Sequence, residues 1–346
     1  MNAKRKYLIF IFIMLLSILF AGCANISTIG SDDENLKDLK IHYIDVGQGD
    51  AILIQKDGEN MLIDAGENEY GKVVVNYLKK NNVSKIDYII GTHPHSDHIG
   101  GLDTVIQNFE VDKVIMPKVN HTTKTFEDVL LAIKEKNLKL VFPKVGDIHK
   151  LGDAKWTILA PNGEEYDSLN NYSIVIRLQY KNNSFLFTGD AESQSEKEML
   201  ESNEKSSLVA DVLKIGHHGS SSSTTDEFLQ AVQPKFAVIQ LGKDNSYGHP
   251  HKETLKKLKR NQIEVFRTDL NGTIVATSDG ERIEFQFENQ EGNTLKVEEQ
   301  YIGNKNTKIL HSKNCSQLPV EHNRIYFQSK EEAIEQGYRQ HEACQP

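Results

Sequence analysis

The chain predicts an α/β fold, and three observations carry that expectation. From Ile41 to Phe287, short apolar runs of strand length alternate with segments whose apolar residues recur at helical spacing. Several runs stop on Asp or His, as strands do when they deliver side chains to one edge of a sheet. One turn, Thr92-His93-Pro94-His95-Ser96-Asp97-His98-Ile99-Gly100-Gly101, crowds four potential metal ligands into six residues between an apolar run and a helix-like segment.

In order, 41–46 reads as a strand, Gly47-Gln48-Gly49-Asp50 as a turn, and 51–55 and 61–64 as strands joined by the hairpin-like 56–60. Asp64-Ala65-Gly66 ends a buried strand on a carboxylate. Val73, Val74, Tyr77 and Leu78 fall at helical spacing within 70–80. The strand 86–90 leads into the His-rich turn, and a helix over 102–109 follows it. Strands are expected at 114–116, 138–142, 156–159, 173–179 and 184–188, with a helix over 125–136. Gly189-Asp190 closes the last of these strands, and an acidic helix over 192–201 comes next. The strand 211–215 runs into Gly216-His217-His218-Gly219-Ser220. Then 236–240 precedes the loop to His249, a helix over 252–260 and strands to Phe287.

Imidazoles and a carboxylate at the spacing of His93, His95, Asp97 and His98 can point to one side of a loop and hold two cations. Asp64, Asp190, His217, His218 and His249 all follow apolar strands, so they are expected at the same edge.

The ends of the chain differ from its middle. Lys4-Arg5-Lys6 precedes 14 largely apolar residues, 7–20, a run that suits a signal-peptide core rather than a membrane span. Leu19-Phe20-Ala21-Gly22-Cys23 resembles a bacterial lipobox with Cys23 as the lipidated residue, although Phe20 stands where Leu is usual. An uncleaved anchor is the alternative, and both place the remainder outside the cytoplasmic membrane. Residues 23–39 read as a tether. The full chain carries 40 basic and 49 acidic residues, a net charge of −9. Loss of 1–22 leaves 37 basic residues against the same 49, or −12. Such a surface repels nucleic acid at long range, which counts against tight non-specific DNA binding.

The polar linker 289–299 leads to a compact tail, 300–346. His311 and Cys315 form one close pair and His341 and Cys344 another, flanking an expected strand at 323–327 and a short helix over 331–337. Two such pairs suit a closed structural zinc site. A Cys315–Cys344 disulfide is the competing reading outside the cell. A segment of this size needs one staple or the other. The tail resembles the Ada-type metal-binding module, with His311 and His341 where that module has cysteines.

The His-rich string resembles motif two of the metallo-β-lactamase superfamily, which implies a four-layered αββα sandwich over 40–288. Within that superfamily the chain looks like the extracellular domain of ComEC-type competence proteins. The matching stretches are 45–51, 92–101, 187–192, 214–220 and 246–251. The resemblance implies a first metal on His93, His95 and His217, a second on Asp97, His98 and His249, and Asp190 bridging them. Asp64 becomes the carboxylate that orients a ligand His. Asn170-Asn171-Tyr172-Ser173 occupies the region where many members supply a further ligand His, so that role passes to His217, with its neighbour His218 as the alternative ligand. With His217 as the ligand, His218 is a donor to a substrate oxygen. Ser220 joins Asn171 and Ser173 as candidates for the substrate cleft, buried turn roles being the alternative for the latter two.

Two zinc or manganese ions would activate a water as hydroxide for attack on a phosphodiester. The expected function is therefore a cell-surface, lipid-anchored phosphodiesterase or nuclease that takes single-stranded DNA into a cleft. The ordering of ligands also resembles the phosphorylcholine esterases of cell walls, which makes wall polymers an alternative substrate. A non-catalytic DNA-binding lipoprotein is the other class, and it gives no reason for Asp97, Asp190 and the paired histidines to occur together.

Overall fold

The computed structural model describes residues 38–289, 301–312, 315, 317–327 and 330–341. The expected leader, Cys23, nearly all of the tether and linker, and Cys344 lie outside them. Among the described residues no helix is long and apolar enough to cross a membrane.

Fifteen strands form two facing sheets. They are β1 (Leu39–Tyr43), β2 (Ile52–Lys56), β3 (Glu59–Ile63), β4 (Lys85–Ile90), β5 (Glu110–Ile115), β6 (Leu140–Val141), β7 (Ile148–Leu151), β8 (Ala154–Ala160), β9 (Val175–Tyr180), β10 (Asn183–Phe187), β11 (Val212–Lys214), β12 (Phe236–Ile239), β13 (Glu264–Arg267), β14 (Ile274–Ser278) and β15 (Ile283–Phe287). One sheet runs β15-β14-β1-β2-β3-β4-β5-β6 and the other β13-β12-β11-β10-β9-β8-β7. From β3 to β6 neighbours are parallel, as they are from β10 to β13.

Alternation along the strands assigns side chains to layers. Ile41, Tyr43, Ile52, Ile54, Met61 and Ile63 meet Trp156, Ile176, Phe185 and Phe187 of the second sheet in a shared core. Leu53 and Leu62 point the other way, under the helices Gly71–Lys80, Leu102–Asn108 and Lys124–Glu135. Helices Ser193–Ser202, Asp226–Val232 and Lys252–Arg260 cover the second sheet through Met199, Phe228, Val232 and Leu258. Strands buried on both faces read as continuous apolar runs, and each fully buried large side chain contributes about 1.5–3 kcal/mol. The result is the αββα sandwich that the resemblance implied.

Some expectations need correction. Val73 is 45% exposed, and Val75 takes its place beside Val74 and Leu78 on the buried face. The strand expected from Ser173 starts at Val175, because Leu169–Tyr172 coils into a 3-10 turn. β7 and the helix Asp226–Val232 escaped the pattern. That helix is only seven residues long, and its signals are local. Thr225 accepts from the Phe228 N–H at its start, and left-handed Gln233 ends it.

The tail has a four-stranded sheet of its own, with β16 (Tyr301–Asn304), β17 (Ile309–Ser312), β18 (Arg324–Phe327) and β19 (Arg339–Gln340) in the order β18-β16-β17-β19. Three of these strands, β16, β17 and β19, gave no clear sequence signal, and the helix spans Lys330–Glu335. Its core is small: Ile302, Leu310, Phe327, Ala333 and Tyr338.

Candidate metal centre

Parallel strands end together, and here their C-terminal ends deliver nearly every polar group that the sequence singled out. Asp64 follows β3, the His-rich turn follows β4, Asp190 follows β10, and His217 and His218 follow β11. Asp64, His217 and His218 adopt left-handed backbone, φ 57°, 49° and 53°. This conformation costs energy in non-glycine residues and is held where the surroundings over-determine it.

Asp64 is fully buried and both of its oxygens are engaged locally. Oδ1 accepts from the Thr92 N–H at 2.8 Å, and Oδ2 accepts from Thr92 Oγ1 at 2.7 Å and from His98 Nδ1 at 2.8 Å. The last bond fixes the tautomer of His98 and leaves Nε2 facing inward, 3.2 Å from Asp190 Oδ1 and 3.9 Å from Asp97 Oδ2. His218 is set in the same way from the opposite sheet. Its Nδ1 donates to the Gln240 carbonyl at 2.8 Å, and its Nε2 lies 3.3 Å from Asp97 Oδ2 and 3.5 Å from Asp190 Oδ2. Asp97, His98, Asp190 and His218 thus each offer one ligand atom within 4.8 Å of the others.

Three more imidazoles adjoin this set around Asp190 Oδ2, and the His93 and His98 ring centroids lie 4.2 Å apart. His93 Nε2 is 3.0 Å from His95 Nδ1 and 3.9 Å from Asp190 Oδ2, and His217 Nε2 is 3.8 Å from the same oxygen. His249, which the sequence reading grouped with Asp97 and His98, stands farther out. Its ring centroid is 5.5 Å from that of His217 and 6.4 Å from that of His218, and it stacks on Tyr247. The gathered set of four therefore contains His218 in the place given to His249.

Electrostatics follow from this crowding. Burial opposes charge on His98, yet Asp190, Asp97 and Asp64 raise its pKa well above 6.5. His218, equally buried, is raised to about 9 by Asp190, Asp97 and Asp50. Against burial, His218 and His98 pull the Asp190 carboxyl well below its ordinary range. Burial, reinforced by His98, keeps His93 neutral. A buried carboxylate between imidazoles, with one oxygen that accepts no hydrogen bond, is a donor set suited to divalent zinc or manganese.

The three candidates for substrate contact are committed to the protein. Asn171, 3% exposed, accepts from the Glu192 and Ser195 N–H groups. Ser173 is fully buried and its Oγ accepts from the Asp190 N–H at 3.0 Å. Ser220 Oγ pairs with Ser222 Oγ at 3.0 Å.

Three residues at the site went unassigned in the sequence. Asp50, 1% exposed, lies 3.4 Å from His218 Nδ1 and pairs with the fully buried Lys214. Gln240 Nε2 donates to the carbonyls of Ile44 and Ala51, tying β12 to the loop after β1. One signal was available, a lysine set in the apolar run 211–215. Gly49 is needed for the close approach, since a Cβ there would sit 2.0 Å from the Asp97 carbonyl oxygen. A cleft of about 320 Å³ opens over the centre, lined by His95, Asp97, Asp190, His217, Tyr247 and His249 among others.

Residues 44–243, more than half of the chain, match a family described as the metallo-beta-lactamase superfamily. The chain is 35% identical over 253 residues to ComE operon protein 3 of Bacillus subtilis, an alignment covering 68% of this chain and 32% of that protein. It is 29% identical over 252 residues to Recombination protein 2 of Haemophilus influenzae, with coverage of 71% and 30%. It is 27% identical over 231 residues to Competence protein ComA of Neisseria gonorrhoeae, with coverage of 66% and 31%. The chain spans about a third of the length of these curated relatives.

Proposed function

The chain belongs to the metallo-β-lactamase superfamily, and from that premise we propose that it is a two-metal phosphodiesterase cutting single-stranded DNA outside the cytoplasmic membrane. One observation carries the reading: four imidazoles converge on the buried Asp190 carboxylate, His98 at 3.2 Å from Oδ1 and His218, His217 and His93 at 3.5–3.9 Å from Oδ2. Paired cations that share a carboxylate suit in-line displacement at phosphorus.

His93, His95 and His217 would hold one cation and Asp97, His98 and His218 the other, with Asp190 between them. Such a pair supplies an activated water and neutralises charge on the attacked diester. The protein's part is orientation. Asp64 fixes His98, the Gln240 carbonyl fixes His218, and Ser173 holds the Asp190 backbone. His249 is then free of ligand duty. Burial, with His217 and His218 nearby, lowers its pKa to about 4, so a neutral imidazole borders the cleft and can meet a substrate oxygen.

The competence named for the Neisseria relative supports DNA as substrate. A quaternary-ammonium headgroup would call for an aromatic cage, and among the described residues the cleft offers one tyrosine, Tyr247. Anchoring through a lipidated Cys23 and a structural zinc on His311, Cys315, His341 and Cys344 belong to the same reading. His311 Nδ1 and His341 Nδ1 flank Cys315 Sγ at 3.4 and 3.6 Å.

The test is hydrolysis of single-stranded DNA and of bis-nitrophenyl phosphate by residues 24–346, in zinc and in manganese, beside Asp97→Ala. DNA cleavage that vanishes in the variant is the expected result. Turnover of the small diester alone moves the substrate to other phosphodiesters, and no turnover with both cations bound overturns the proposal.

A further inference from the structure

Tyr247 is the one large exposed apolar side chain, among the described residues, that lines the cleft over the metal centre. Val73, Leu131, Phe142, Ile148 and Val209 are also exposed, but none of them borders it. Tyr247 is 64% exposed, and one face of its ring stacks on His249 with centroids 5.7 Å apart and planes 20° from parallel. The loop beneath is held still. Asn245 Nδ2 donates to the carbonyls of Gly242 and His249, and Asn245 Oδ1 accepts from the His249 N–H at 3.0 Å. Such bracing presents an aromatic plane to solvent at little further entropic cost on binding.

The neighbouring surface limits what this plane can face. Beyond Gln48 lies a trough of about 1110 Å³ whose charged lining is Asp45, Asp269 and Glu288 against Lys243 alone. A phosphate backbone is repelled there, which favours a path over the histidine-lined cleft. From the Tyr247 ring to His249 and on to His218 the ring-to-ring steps are 5.7 and 6.4 Å. Tyr247, Asp97, Asp190 and His218 line one cleft, so a base on the tyrosine ring and a phosphate of the same strand over the metal centre can be held together.

We propose that Tyr247, backed by His249, is the stacking platform for one nucleobase of a single strand that places a nearby phosphate over the metal centre. The proposal rests on the phosphodiesterase reading and adds a base-binding subsite to it. Stacking on an aromatic face is indifferent to sequence, because every base has such a face. The platform therefore predicts a preference for base-bearing over abasic strands without a preference among bases.

The experiment compares kcat/KM on a thymidine oligomer and on an abasic oligomer of equal length, for the wild type, Tyr247→Ala and Tyr247→Phe. The base-bearing preference should fall by roughly 5- to 100-fold in Tyr247→Ala and persist in Tyr247→Phe. A second readout needs no turnover: 2-aminopurine in a cleavage-resistant phosphorothioate strand should be quenched on binding the wild type and not Tyr247→Ala. An unchanged preference in Tyr247→Ala, or no quenching by the wild type, overturns the platform. Tyrosine-dependent quenching without hydrolysis of either strand upholds the platform and refutes the phosphodiesterase reading.

Discussion

The donors around Asp190 rest on two sheets and two helical layers, whereas those of the tail sit on a four-stranded sheet whose buried apolar residues, among those described, are Ile302, Leu310, Phe327, Ala333 and Tyr338. In the first case the fold builds the site: His98 and His218 are aimed by Asp64 and Gln240 whether or not a cation is present. In the second we propose the reverse: so small a core needs a staple to offset chain entropy, and a cation on His311, Cys315 and His341 would supply it. Similar side chains thus serve opposite ends, and the amount of apolar surface behind them decides which.

The largest expected effect tests the first half of this contrast. Asp190→Asn should lower cation affinity and activity by at least about 100-fold, because the amide brings no negative charge to the cations that the carboxylate would share. The fold should survive, with unchanged circular dichroism. The converse test is chelation. Removal of cations should raise amide exchange throughout 301–341 while β1–β5 stay protected, and Cys315→Ala should reproduce that pattern with the active-site cations still bound. Equal loosening of both regions would end the distinction.

Smaller effects probe the supports. Asp64→Asn leaves an amide beside His98 Nδ1 and should weaken cation binding or activity by about 10- to 100-fold, readable by titration calorimetry. The pH dependence follows from the histidines. With a pKa of about 9 in the cation-free fold, His218 stabilises that fold fully below its unfolded value of about 6.5, and the contribution fades as pH rises to about 9. Asp190, lowered, contributes above about pH 4 and loses its effect in acid. Cation uptake must displace the protons on His98 and His218, so affinity should rise about tenfold per pH unit for each proton released between pH 6.5 and 8.

Much of this was legible beforehand because strand ends carry function. The runs that stopped on Asp64, the His-rich turn, Asp190 and His217-His218 are the ends of β3, β4, β10 and β11. What the sequence hid was direction. His217 and His218 are adjacent, but left-handed backbone sends one ring toward Glu192 and Ser222 and the other toward Asp97 and Gln240, and no spacing rule separates them. Asp50 and Gln240 look like ordinary turn and strand-end residues, since their partners lie on the opposite sheet. Val73 misled because three consecutive valines satisfy several helical phases at once.

Gln240 has a mechanical meaning as well. Its amide grips the loop after β1 and its carbonyl grips His218, so the two sheets are riveted at the rim where the candidate ligands converge. Neither sheet can peel from the other without breaking that rivet and freeing any bound cation. Lifetime of the native state, more than its equilibrium stability, is what such a clasp extends, and unfolding half-lives should lengthen as cation concentration rises.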